Sequence, residues 1–146
     1  MKRAIFLFTI LISGYIFGQS GQKGPKIHFT SKEINYGEVV KGSDGYRTFE
    51  FVNTGDEPLI ISRVRSSCGC TVAEKPEKPV MPGEKGIIKV HYNTQKPGAF
   101  RKTITVYTNA VNESNGVVIL KIKGKVIDPS KVDLKRKREK SPVFNH

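Results

Sequence analysis

Along Tyr46–Val52 the side chains alternate, with Phe49 and Phe51 on one face and Thr48 and Glu50 on the other. A period of two predicts a strand with one wet side. The same pattern sets Ile88, Val90 and Tyr92 against Lys89 and His91, which leaves His91 facing solvent. Farther on, Phe100, Ile104 and Val106 share a face with Lys102 between them, while Arg101, Thr103 and Thr105 take the other. Val118, Leu120, Ile122 and Val126 mark a last strand, with Gly124 at a bulge or a close contact. Nearer the start, Ile27–Phe29 predicts a short strand and Ile34–Val40 an extended piece kinked at Gly37. Leu59–Val64 predicts a central strand that runs directly into the stretch Val64–Val72.

Turn composition separates these runs at Lys41–Gly45, Asn53–Pro58, Lys96–Gly98 and Asn109–Gly116. Pro76, Pro79 and Pro82 exclude a helix or an inner strand over Glu74–Gly83, which is expected to be a loop crossing an edge. Seven or eight short strands at roughly 8–12-residue spacing predict an all-β sandwich. No repeat of solenoid period is visible.

Both cysteines fall in Val64–Val72, as Cys68-Gly69-Cys70. In an extended strand they project to one face with Cα atoms roughly 6.5–7 Å apart, the far limit for a disulfide. Positive φ at Gly69 is expected to kink the chain and bring the sulfurs closer. Three chemistries fit the pair. It is structural, either as two small buried hydrophobes or as a local disulfide closing too small a loop to add much stability. Alternatively it is a thiol–disulfide site, with Arg63 and Arg65 as the nearest cations in sequence. The third chemistry is a soft-metal site for Cu(I), completed by Met81 and His91. Zinc suits the spacing less well. No cofactor is expected unless the Cu(I) alternative holds.

The 146 residues fit one domain, and Lys and Arg outnumber Asp and Glu by 25 to 13. Lys2 and Arg3 precede an apolar run over Ala4–Phe17 and then Gly18-Gln19-Ser20, the pattern of a secretory signal peptide. The run is shorter than the ~20 residues of a spanning helix. An exported chain, periplasmic or extracellular and not membrane-spanning after cleavage, is the expectation. In that compartment two cysteines favour a single bridge. The expected organisation is a signal peptide over residues 1–18, a flexible leader over 19–26, the sandwich over 27–127 and a basic tail over 128–146.

Several motifs recur here in fixed order: Tyr36-Gly37, Phe49-x-Phe51-x-Asn53-Thr54-Gly55, Pro58-Leu59-x-Ile61, Ser66-Ser67-Cys68-Gly69-Cys70-Thr71, Pro82-Gly83-Glu84 and Gly98-x-Phe100-x-Lys102. With Val106-x-x-Asn109 and Leu120-x-Ile122-x-Gly124 they resemble the bacterial domain-of-unknown-function 1573 family. The resemblance covers about Ile27–Ile127. It implies an immunoglobulin-like sandwich similar to Hydin and major-sperm-protein domains, in an exported protein without assigned activity or catalytic residues. The chain lacks the anchor cysteine of lipoprotein members.

Lys135-Arg136-Lys137-Arg138 gives the tail a dense cationic run, expected to be solvated and disordered, with contact to a polyanion as the functional alternative. Nucleic acid is not expected, because export removes it and the tail lacks stacking aromatics before Phe144. No phosphate cradle, HExxH or GxSxG element occurs, and Cys68 or Cys70 with His91 is the one imaginable catalytic pair. Asn112-Glu113-Ser114 matches a glycosylation triplet by chance in a bacterial chain. The expected function is a non-enzymatic binding or assembly module of the envelope, with an envelope protein or anionic polysaccharide as partner. The alternative is a Cu(I) or thiol-redox protein.

Overall fold

The computed structural model describes residues 21–131. Eight strands form in order: β1 (Ile27–Phe29), β2 (Glu33–Val40), β3 (Tyr46–Asn53), β4 (Ile61–Ser66), β5 (Thr71–Glu74), β6 (Lys85–Tyr92), β7 (Gly98–Thr108) and β8 (Val117–Ile127). They make two four-stranded sheets, β1-β3-β6-β5 and β2-β8-β7-β4. The alternating positions explain the layering. Phe49, Phe51, Ile88 and Val90 from the first sheet meet Ile104, Val106, Leu120 and Ile122 from the second, and all are essentially inaccessible to water. Burying each large apolar side chain contributes about 1.5–3 kcal/mol.

The chain changes sheet five times, between β1 and β2, β2 and β3, β3 and β4, β4 and β5, and β6 and β7. Between β1 and β2 it crosses over, so β2 lies parallel to β8 while every other pairing is antiparallel. The expected kink at Gly37 is a bulge: the β2–β8 register shifts between Asn35 and Glu38, and Gly37 has φ 66°, a conformation glycine adopts without steric cost. At Gly124 the close contact is real, because an added Cβ would stand 2.8 Å from both the Phe100 ring and Tyr36 Cβ.

Three expectations need correction. Leu59–Val64 is not central: β4 begins at Ile61 and is the outer strand of its sheet. Leu59 instead exchanges two 2.9 Å backbone hydrogen bonds with Val80, which ties the proline-rich loop to the sandwich. The stretch Val64–Val72 is not one strand either, because the chain leaves the second sheet after Ser66 and joins the first at Thr71. Finally, the described part of the 19–26 leader is not free. Gly24 and Pro25 are buried. The Gly24 N–H donates to Asp56 Oδ1 at 2.7 Å, and this bond holds the Asp56 carboxyl below its usual range. Pro25 O accepts from the Val111 N–H at 2.8 Å. Order therefore begins several residues before β1. The signal-peptide segment lies outside the described residues.

Candidate functional site

The Cys68-Gly69-Cys70 segment forms the corner by which the chain passes from β4 to β5. Both sheets hold it. At its start, the Ser67 N–H donates to Thr103 O at 2.9 Å, and the Thr103 N–H donates to Ser67 Oγ at 3.2 Å. At its end, the Asn93 N–H donates to Cys70 O at 2.9 Å. The Ser66 hydroxyl lies 2.6 Å from Thr71 O and 2.9 Å from Cys68 O, within reach of both carbonyls for its single hydrogen.

Cys68 and Cys70 are joined in a disulfide with Cα atoms 5.3 Å apart, closer than extended chain allows. Gly69 does not supply the positive φ expected of it, and nothing lies within 4 Å of the place its Cβ would take. The turn is made by hydrogen bonding rather than by a left-handed glycine. Both cysteines are half-buried, and Cys70 packs against the core. Thr71 Oγ1 lies 3.7 Å from Cys68 Sγ, with the hydroxyl as donor because a bonded sulfur carries no hydrogen. In this state neither sulfur is a nucleophilic thiolate or a thiolate ligand.

Met81 is not brought to this corner. Its N–H donates to Glu84 Oε2 at 3.0 Å, just before β6 begins, whereas Cys70 sits beside Asn93, just after β6 ends. A strand of that length separates them by roughly 25 Å. His91 is nearer but lies on the outer face of the first sheet, paired with Val72 and with its ring 4.4 Å from that of Tyr46. Among the described residues no group of three or more His, Cys, Asp or Glu is placed to hold a metal ion. Arg63 lies over Tyr107, 5.9 Å from the ring centroid. Lys135, Arg136, Lys137 and Arg138 fall outside the described residues.

Two features escaped the sequence. The first is the side of the sandwich flanked by the corner. There β4 and β5, one from each sheet, are both outer strands, and Val64, Cys70 and Ala73 are half-buried hydrophobics packed on the core. On the opposite side Asn112 bonds both backbone groups of Ile27 of β1 at 2.9 Å, while Ile34 and Val39 of the outer strand β2 are half-buried on the core as well. The second is the basic outer face of the β2-β8-β7-β4 sheet. The alternation of Lys121, Lys123 and Lys125 was visible, but strand pairing decides what lies beside them.

The profile of the family described as "Protein of unknown function (DUF1573)" matches residues 27–126. No curated protein matches the chain in sequence. Among solved structures, a protein of unknown function from Porphyromonas gingivalis W83 is similar at TM-score 0.63 and 15% identity, over 76% of this chain and 51% of that one. This chain thus spans about half of that protein's length. The ASH/PapD-like domain 7 of human CEP192 is similar at TM-score 0.58 and 10% identity, over 70% of this chain and 86% of that domain. The YadV chaperone is similar at TM-score 0.53 and 15% identity, over 75% and 58%. At such identities the likeness concerns the fold, an immunoglobulin-like sandwich.

Proposed function

This chain belongs to the DUF1573 family of proteins of unknown function, and from that premise we propose that it is a non-enzymatic binding or assembly module of the bacterial envelope that docks a partner protein by strand addition along β4 and β5. The observation that carries this reading is that β4 and β5, joined by the disulfide corner, are both outer strands over the half-buried Val64, Cys70 and Ala73. A strand laid there pairs its backbone with a free edge and completes the cover over these side chains. Arg63 and Arg65 on β4 oppose pairing with a second copy of the same edge and favour a partner strand with acidic residues at alternate positions. The secretory pattern of the N-terminus supports the envelope as the setting. The cationic run Lys135–Arg138 adds a salt-sensitive contact to an anionic polysaccharide in this proposal, lost on deletion of Val132–His146.

Capture from envelope extract, with wild type beside Ala73→Lys, tests the docking. An inward charge on an edge strand blocks pairing there, so the captured protein is expected to be lost from the variant. A peptide from that protein should then slow amide exchange in β4 or β5. Equal capture by the variant, or protection confined to other strands, rules the reading out.

A further inference from the structure

The positive charge of this chain is unevenly distributed over the sandwich. On the outer face of the β2-β8-β7-β4 sheet, the paired rows bring together Arg63 and Arg65 of β4, Arg101 of β7 and Lys121, Lys123 and Lys125 of β8. The carboxylates of that face are Glu33 and Glu38 of β2. Glu33 pairs with Lys123, and Glu38 with Lys125 at 3.0 Å. Arg63, Arg65, Arg101 and Lys121 make no ion pair among the described residues. On the outer face of the other sheet, Lys85 and Lys89 are balanced by Glu50 and Glu74.

The crowding has a physical cost. Arg101 stands directly opposite Lys123 in the β7–β8 ladder, and like charges in that relation are destabilising. Cross-strand neighbours are about 4.8 Å apart and alternate residues about 6.6 Å, inside the ~8 Å Debye length of physiological salt. Their potentials therefore add, and a bound polyanion removes the repulsion.

We propose that this face binds an anionic polysaccharide. Beyond the cations it presents the hydroxyls of Thr103 and Thr105, which suit sugar hydroxyls as well as acid groups. At the β2 bulge a shallow concavity of about 580 Å³ has Asn35, Arg101, Lys123, Lys125 and one carboxylate, Glu38, as its polar lining, wide enough for a sugar residue bearing a carboxylate or phosphate. A lipid surface fits less well, because the two large hydrophobics of the face that are more than a third exposed, Val40 beside Ile127 and Ile119, stand eight positions apart along β8 and form no patch. A nucleic acid lacks a free ring to stack on, since Tyr107 is half-buried under Arg63.

The test is a titration of the full chain with alginate, a carboxylate polysaccharide, at low and physiological salt. Arg65→Gln/Arg101→Gln/Lys121→Gln is expected to bind roughly ten-fold more weakly with a shallower salt dependence. The single Arg101→Gln follows in the same direction. Lys85→Gln/Lys89→Gln, a loss of two cations from the opposite face, is expected to stay within about two-fold of wild type. The proposal is overturned if both faces matter equally, if Gln substitution of Lys135–Arg138 alone abolishes binding, or if phosphatidylglycerol vesicles outcompete alginate for the same residues.

Discussion

Asn112 grips the backbone of Ile27 at both of its polar groups: the Ile27 N–H donates to Oδ1 and Nδ2 donates to the Ile27 carbonyl, each at 2.9 Å and across 85 positions of chain. One carboxamide thus does for the outer edge of β1 what a neighbouring strand would do. Asn112→Ala should cost about 1–3 kcal/mol in chemical denaturation. It should also speed amide exchange at Ile27 more than at β3. Asn112→Asp keeps the acceptor but turns an oxygen toward the Ile27 carbonyl, so it should cost no less than alanine.

Asn53 is the second such hub and is fully buried. Its Nδ2 donates to Glu57 O at 2.7 Å and Val80 O at 2.9 Å, while Oδ1 accepts from Gly55 N at 3.0 Å. Asn53→Asp turns both donor positions into an acceptor facing two carbonyls. It should destabilise by about 3 kcal/mol or more, exceeding Asn53→Ala, with the gap narrowing at low pH as the carboxyl protonates. A denaturation series at pH 4 and pH 7 measures this directly.

The strands with one wet face were legible from alternation alone, because Phe49, Ile88 and Leu120 sit in a period of two that is interrupted beside Ile104 only at Lys102. What alternation did not carry was pairing. β5 spans four residues and follows a corner made by the Ser66 hydroxyl and the Ser67 backbone, and such bonds leave no periodic trace. Asn53 and Asn112 looked like turn residues for the same reason, since Val80 and Ile27, which they bond, lie 27 and 85 positions away. The cysteines were legible as a pair, but the distance of Met81 depended on which end of β6 each segment meets.

Two glycines separate packing from turn geometry. Gly124→Ala drives a Cβ to within 2.8 Å of Phe100 and Tyr36 and should cost about 1–3 kcal/mol. Gly69→Ala meets no atom within 4 Å and needs no left-handed backbone, so its effect should stay within about 0.5 kcal/mol. Thermal melts of both variants suffice. A large loss at Gly69 would mean that the corner depends on glycine after all.

Removing the disulfide should be mild for a fold of this kind. The loop it closes separates the cysteines by 2 positions, and chain-entropy arguments assign so small a ring about 1–2 kcal/mol. Cys68→Ser/Cys70→Ser should therefore fold and melt a few degrees lower. After anaerobic reduction, any Cu(I) bound by the dithiol should vanish in that variant and be indifferent to Met81→Leu. A response to Met81 would require the proline-rich loop to travel the length of β6.

At alkaline pH the weak point is Tyr36. Burial pushes its phenol up to about 12 from the ordinary 10.0, opposed by the Arg47 guanidinium, which lies 4.5 Å from its ring centroid. Below pH 10 the phenol is protonated in folded and unfolded chains alike, and its contribution is complete. Between pH 10 and 12 the unfolded chain releases the proton first, so stability falls as pH rises through that window. The loss attributable to this group should be on the order of 1 kcal/mol, after allowance for its partial contact with solvent. Tyr36→Phe should flatten this part of the profile. At neutral pH it should cost little, because Gly45 O, which accepts the phenol hydrogen at 3.0 Å, also accepts the Tyr92 N–H at 3.0 Å. Denaturation midpoints for both chains from pH 8 to 12 test the assignment: parallel curves would place the alkaline weakness elsewhere, with Tyr92, whose phenol burial also raises, as the next group to substitute.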